Sequence, residues 1–334
     1  MGILRRLRIE PFILAILAAV VVAAFLPATG GAADALDWVT TIGIAVLFFL
    51  YGSRLEPREL VVGLTHWRLH SVVLASTYLL FPLLGLLGQW LLTPVLGASL
   101  AAGFLFLTLV PSTVQSSITF VAIARGHVSA AVVSASVSNL LGVVITPLLV
   151  FALMTTDGSV VITWGSVGTI ALQLLLPFVV GQLLRTWVLP VIRRIKRIAL
   201  FDKTVIVLVV YAAFSDGVAD GIWSTIGVGE LAWLIVACCV LLAVVLGLTE
   251  LASRALGFED RDKRVVQFCG SKKSLATGLP MAAVLFVGQP IGLLVLPLML
   301  FHQIQLIVCA WLAGRYGRAA DTGTDADTDR GAGA

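Results

Sequence analysis

Charge is scarce in this chain: charged residues make up 12% of its 334 positions, and hydrophobic residues make up 59%. An ordinary soluble domain carries about a quarter charged residues, so the shortage excludes one. Cysteine is rare as well. Cys238, Cys239, Cys269 and Cys309 all fall inside apolar runs, which leaves no disulfide framework and no cluster with metal-ligand spacing. No Gly-x-Ser-x-Gly elbow occurs, so a serine nucleophile would lack its usual strained turn. Lysine and arginine are missing from every second loop between apolar runs. The net charge of +4 is therefore a matter of topology, and it implies no nucleic-acid partner.

What the chain does have is long apolar segments. A helix that crosses a bilayer needs about 20 such residues, and ten segments qualify: 11–28, 36–53, 69–90, 98–124, 128–154, 162–186, 203–221, 231–253, 265–287 and 290–313. The first follows basic residues but has no clear cleavage site, so it reads as a retained helix. One set of loops carries Arg5, Arg6 and Arg8; Arg54, Arg58 and Arg68; Arg125; Arg185, Arg193, Arg194, Lys196, Arg197 and Lys203; Arg254, Arg261, Lys263 and Arg264; and Arg315, Arg318 and Arg330. The other set holds Asp34, Asp37, Asp157, Asp220 and Glu230. By the positive-inside rule both termini lie in the cytoplasm, and the expected location is the inner (plasma) membrane. The most basic loop, Leu189 to Lys203, reads as a topogenic loop or as a short helix lying on anionic headgroups.

Five segments fall on each side of the loop holding Asp157. An odd number per half makes the second half enter the membrane from the opposite face, which is the arithmetic of an inverted repeat over 8–155 and 156–316. The residues from 317 to 334 are rich in Ala, Gly, Thr and Asp and are expected to be a disordered cytoplasmic tail. Two segments, each the fourth of its half, are interrupted: one by Pro111-Ser-Thr-Val-Gln-Ser-Ser117, the other by Gly270-Ser-Lys-Lys-Ser274. Proline removes a backbone donor and glycine weakens a helix. The clustered hydroxyls satisfy freed backbone groups where a break lines a cavity.

Candidate site residues gather at these breaks. Thr113, Gln115, Ser116, Ser117 and Thr119 offer neutral oxygens and amide donors, the alternative being hydroxyls that bond their own helix. Ser134, Ser138 and Gly142 recur at fourfold spacing with Asn139 beside them, so the fifth segment presents a small, polar face to the first break. Asn139 is the best ligand candidate there, with interhelical bonding as its rival role. Lys272 and Lys273 are the two basic residues that topology leaves unexplained. Each costs about 2.5 to 3.5 kcal/mol at bilayer depth on insertion scales, and they sit about 12 Å of helical rise beyond Arg264, which disfavours snorkelling to the surface. Adjacent residues differ by about 100° around a regular helix, so one of the two is expected to face a cavity. There it would hold an anion, replace a bound cation, or release a proton during a cycle. Ser271 and Ser274 flank the pair. His302, Gln303 and Gln305 form a polar cluster in the tenth segment, where His302 is a proton-relay candidate. Glu250 and Arg254 read as a structural i, i+4 pair.

The ten-segment pattern, the break from Pro111 to Ser117, the Ala124-Arg-Gly-His-Val128 turn, the Gly270-Ser-Lys-Lys-Ser-Leu-Ala-Thr-Gly278 stretch and Thr65-His-Trp-Arg-Leu-His70 resemble the bile acid:sodium symporter superfamily. They are most similar to its SBF-like, cation/proton antiporter-like bacterial branch, over about residues 8 to 316. The resemblance implies an all-α polytopic fold of ten transmembrane helices in a five-plus-five inverted repeat, with broken helices four and nine crossing. It also implies a panel domain of segments one, two, six and seven, a core domain of the other six, and alternating access between them. Sodium-binding members use hydroxyls and an Asn near the fourth-segment break, with a glutamate and a glutamine in the ninth. That points to Ser116, Ser117 and Asn139 as sodium ligands here. However, Cys269, Gly270, Ser271, Lys272 and Lys273 stand where the acid and amide would be, which argues against sodium. The expected function is secondary transport of a small organic anion or bile-acid-like solute, without a cofactor, with lysine in place of sodium and proton coupling open. Cation/proton antiport and a non-transporting regulatory role are the alternatives. An intramembrane enzyme built on Ser271 or Ser274 with a lysine is disfavoured, since neighbours on a helix point apart.

Overall fold

The computed structural model describes residues 11–54, 66–154, 171–195, 198–219, 221 and 226–331, the last eleven as backbone alone. Arg5, Arg6, Arg8, Arg58, Lys196, Arg197, Thr65, Asp157, Asp220 and the start of the sixth apolar segment lie outside the described residues. All regular structure among the described residues is helical. The helices are α1 (Pro11–Phe25), α2 (Gly31–Arg54), α3 (Trp67–Leu109), α4 (Gln115–Ile123), α5 (Val128–Met154) and α6 (Leu176–Leu183). They continue with α7 (Arg185–Arg194), α8 (Ile198–Ala219), α9 (Val228–Ala255), α10 (Asp260–Gly270), α11 (Leu275–Leu285) and α12 (Ile291–Gly331). Five of these, α2, α3, α5, α9 and α12, are long and apolar enough to cross a membrane, and a bent pair ending in α6 and α7 makes six. In an apolar solvent every backbone group must be satisfied internally, and helices do this within one segment.

The third and fourth apolar segments run together as α3. It carries a π-helical turn at Ser76–Leu80 and a kink where Gly97 takes φ 75 just after Pro94. Only glycine adopts that left-handed conformation at no steric cost. α7 holds Leu189 to Arg194 of the most basic stretch and turns 91° from the helix before it. Trp187 and Val191 are exposed on α7, four residues apart and so on one face of the helix. At the C-terminus α12 runs on to Gly331. A helix already nucleated in an apolar span adds one hydrogen bond per further residue without a new nucleus.

The chain divides into two compact units, and each draws on both halves of the sequence. The first comprises Met1–Leu55, Val160–Gly227 and Leu279–Val295. In it α2 and α6 meet backbone to backbone: a Cβ on Gly52 would stand 2.0 Å from the Phe178 carbonyl oxygen, and one on Gly181 would stand 2.0 Å from that of Phe49. Small residues permit such close crossings. Arg54 pairs with Asp202 at 2.5 Å where α2 ends. The second unit comprises Glu56–Ser159, Val228–Gly278 and Leu296–Ala334. Its core gathers Leu69, Val73, Phe120, Val121, Phe268 and Cys309, and it contains every candidate site residue.

Candidate functional site

Both expected breaks are present, and they are bonded to each other. The backbone leaves helical geometry between Leu109 and Gln115, and again between Gly270 and Leu275. A helix end leaves four carbonyls without intrahelical partners, and here they are satisfied partly across the two breaks and partly by side chains of α3 and α5. At the end of α10, the Phe268 carbonyl accepts from Ser117 Oγ (3.1 Å), that of Cys269 from Ser112 Oγ (2.6 Å) and that of Gly270 from Ser76 Oγ (2.7 Å). At the end of α3, the Leu109 carbonyl accepts from Thr146 Oγ1 (2.9 Å) and that of Pro111 from the Ser274 amide (2.8 Å). The Ser112 carbonyl accepts from Asn139 Nδ2 (2.5 Å).

Lys273 completes this set. Its side chain is fully buried, and Nζ donates to the carbonyls of Thr77 (2.9 Å), Thr108 (2.7 Å) and Val110 (2.8 Å). It also lies 4.2 Å from the centroid of the Phe81 ring. A cation at a helix C-terminus meets the negative end of the macrodipole, and each hydrogen bond to a charged group contributes about 1.5 to 3 kcal/mol. Three of them offset the several kcal/mol that desolvating an ammonium costs. The main chain of Lys273 is clamped as well: its N–H donates to Gln305 Oε1 (2.9 Å) and its carbonyl accepts from Gln305 Nε2 (2.8 Å).

Lys272 shares the burial and an aromatic neighbour but not the hydrogen bonds. Its side chain is also fully enclosed, yet Nζ has no hydrogen-bond partner. It rests 3.6 Å from the centroid of Phe120 and 5.8 Å from that of Phe268. Cation–π contact contributes about 2 kcal/mol when desolvated, less than an unpaired buried charge costs. On the same segment Gln267 Oε1 is a second buried atom without a partner.

The remaining candidates divide into those at the breaks and those that serve their own helix. Asn139 bridges the breaks, since its Oδ1 accepts from Thr277 Oγ1 (2.8 Å) while its Nδ2 reaches Ser112. Ser138 Oγ accepts from the Ser112 amide (3.2 Å), and Thr113 Oγ1 shares protons with Ser116 Oγ (2.7 Å) and Ser117 Oγ (2.9 Å). Ser274 caps α11 by accepting from the Thr277 amide at 3.2 Å, the usual role of serine at that position. Ser271 Oγ donates to the Gln267 carbonyl at 2.5 Å, so neither serine bonds a lysine amine. Gln115 is exposed, and Thr119 donates back to its carbonyl (2.9 Å). His302 Nδ1 accepts from Gln305 Nε2 at 2.8 Å, which places the ring beside the Lys273 backbone. Glu250 and Arg254 form the expected pair at 2.7 Å.

Ser112, Thr277 and Gln305 are participants that the candidate set leaves out. The first two lie inside the quoted Pro111 and Gly270 stretches, and Gln305 lies in the polar cluster with His302. Thr77, Thr108 and Val110 contribute only backbone oxygens, which side-chain chemistry does not announce.

The chain matches the SBF-like CPA transporter family over residues 10–318. It is similar to an uncharacterized protein of Pseudomonas aeruginosa, 51% identical over 93% of this chain and 94% of that protein. It is also similar to "Putative symporter YfeH" of Escherichia coli, 47% identical over 94% of each chain. A more distant relative is sodium/bile acid cotransporter 7 of Danio rerio, 26% identical over 94% of this chain and 98% of its own length.

Proposed function

Because the chain belongs to the SBF-like CPA transporter family, we propose that this membrane transporter moves a small organic anion by alternating access, with lysine occupying the place of a coupling sodium. In this reading ten spans form a five-plus-five inverted repeat with a panel and a core domain, helices four and nine cross, and both termini face the cytoplasm of the inner membrane. The mutual capping of the two breaks supports the crossing. The names of the relatives support an organic solute, since one is a sodium/bile acid cotransporter.

The carrying observation is the cage of three carbonyl oxygens around Lys273 Nζ. Neutral oxygens at a helix break are what a monovalent cation selects; here a tethered ammonium binds two at the end of α3 and a third, that of Thr77, in its π-helical turn. A sodium ion 4 Å from that charge would be opposed by about 4 kcal/mol at an effective dielectric of 20, roughly three powers of ten in affinity. Transport should therefore proceed without sodium.

The test is uptake of radiolabelled taurocholate by proteoliposomes in sodium and in choline medium. Equal uptake supports the reading, whereas uptake that vanishes in choline contradicts it. Cation/proton antiport is the second reading, favoured by the CPA designation of the family. It would appear as internal pH changes driven by a sodium gradient with no organic solute present.

A further inference from the structure

The two lysines are neighbours in sequence with opposite surroundings, and this contrast assigns them different tasks. We propose that Lys272 carries the coupling proton, one per anion, while Lys273 stays a fixed charge; this rests on the anion-transport reading above. Lys273 has three carbonyl acceptors and holds its charge in every state that keeps the breaks together. Lys272 has none. The titratable groups that bear on it are Cys269 on α10 and Cys309 and His302 on α12. From α4 it meets the Phe120 ring, and no carboxylate pairs with it among the described residues. An ammonium in such a shell needs an anion to compensate it, and the substrate brings one.

The cycle balances in charge and atoms. A proton adds to the Lys272 amine, forming one N–H bond, and the ammonium pairs with the anion, so the loaded site crosses as a neutral pair. Release breaks that N–H bond and delivers proton and anion to the same side. The empty site returns with a neutral amine over the aromatic ring, so loaded and empty sites carry the same net charge, that of Lys273 alone.

Two measurements test this on the full chain. In lipid nanodiscs, protein labelled with carbon-13 at lysine Cε is followed through the neutral pH range. The Lys272 signal is identified by its loss in Lys272→Arg or Lys272→Gln, and the Lys273 signal by its loss in Lys273→Gln. The Lys272 signal should move between its ammonium and amine positions while that of Lys273 stays put; a Lys272 signal that never moves overturns the inference. In proteoliposomes an imposed gradient of one pH unit should accumulate taurocholate about tenfold, the ratio for one proton per anion. In Lys272→Arg the ratio of accumulation to taurocholate exchange should fall by about the same factor; an unchanged ratio overturns the inference. If Lys272 titrates but no preparation binds or moves taurocholate, the proton site stands and the anion reading falls.

Discussion

Replacing Lys273 by alanine removes the ammonium that closes the end of α3. The three carbonyls it serves, those of Thr77, Thr108 and Val110, are buried with it. At about 1.5 to 3 kcal/mol for each hydrogen bond to a charged donor, the gross loss is roughly 5 to 9 kcal/mol. Against this stands relief from burying an ammonium, several kcal/mol after relaxation. The net destabilisation should be about 2 to 4 kcal/mol, large for a single substitution. The same cage, emptied of its tether and faced by the Phe81 ring, then becomes a site for a free monovalent cation. Sodium at a hundredfold excess over its dissociation constant would return about 2.7 kcal/mol. The assay is thermal unfolding of purified wild type and Lys273→Ala in sodium chloride and in choline chloride at equal ionic strength. The variant should melt lower than wild type in choline and recover much of the loss in sodium, whereas the wild-type midpoint should be the same in both salts. A variant that melts with wild type, or one that sodium does not rescue, would refute the view that Lys273 stands in for a cation.

Asn139→Ala should cost about 1 to 3 kcal/mol, because Ser112 and Thr277 lose the amide that joins the two breaks; thermal unfolding and taurocholate uptake should both fall. Gly181→Ala in the first unit drives a Cβ into the Phe49 carbonyl and should destabilise by about 3 kcal/mol or more, seen as lost monodisperse yield on size exclusion. Asp202→Asn, breaking a partly exposed pair with Arg54, should cost no more than about 1 kcal/mol by the same melting assay. At the start of α10 a hydrogen bond and charge from Lys263 hold the Asp260 carboxyl below the ordinary carboxylate range. That contribution is therefore complete above the unfolded carboxylate value and is lost as pH falls through the lowered one. Lys263→Met should bring the Asp260 titration, read by carbon-13 NMR, up toward its ordinary position.

Both breaks were legible in the sequence because proline, glycine and clustered hydroxyls are anomalies inside an apolar run. The polar face of α5 was legible too, since fourfold spacing fixes a helix face whatever packs on it. What periodicity missed was the arrangement of the two lysines. Reasoning by about 100° per residue presumes helix at Lys272 and Lys273, but the backbone from Ser271 to Ser274 is not helical, and both side chains end up enclosed. The partners of Lys273 were invisible for another reason: they are main-chain oxygens, those of Thr108 and Val110 at the end of α3 and that of Thr77 inside its π-helical turn. The role of Gln305 depends on how α12 packs beside the second break, a long-range fact with no local signal beyond a glutamine in an apolar helix.

The most direct test of lysine in the place of sodium is a calorimetric titration of purified wild-type protein with sodium chloride, with choline chloride as reference. No saturable heat is expected through the millimolar range. Saturable sodium binding by the wild-type chain, with Lys273 intact, would contradict it.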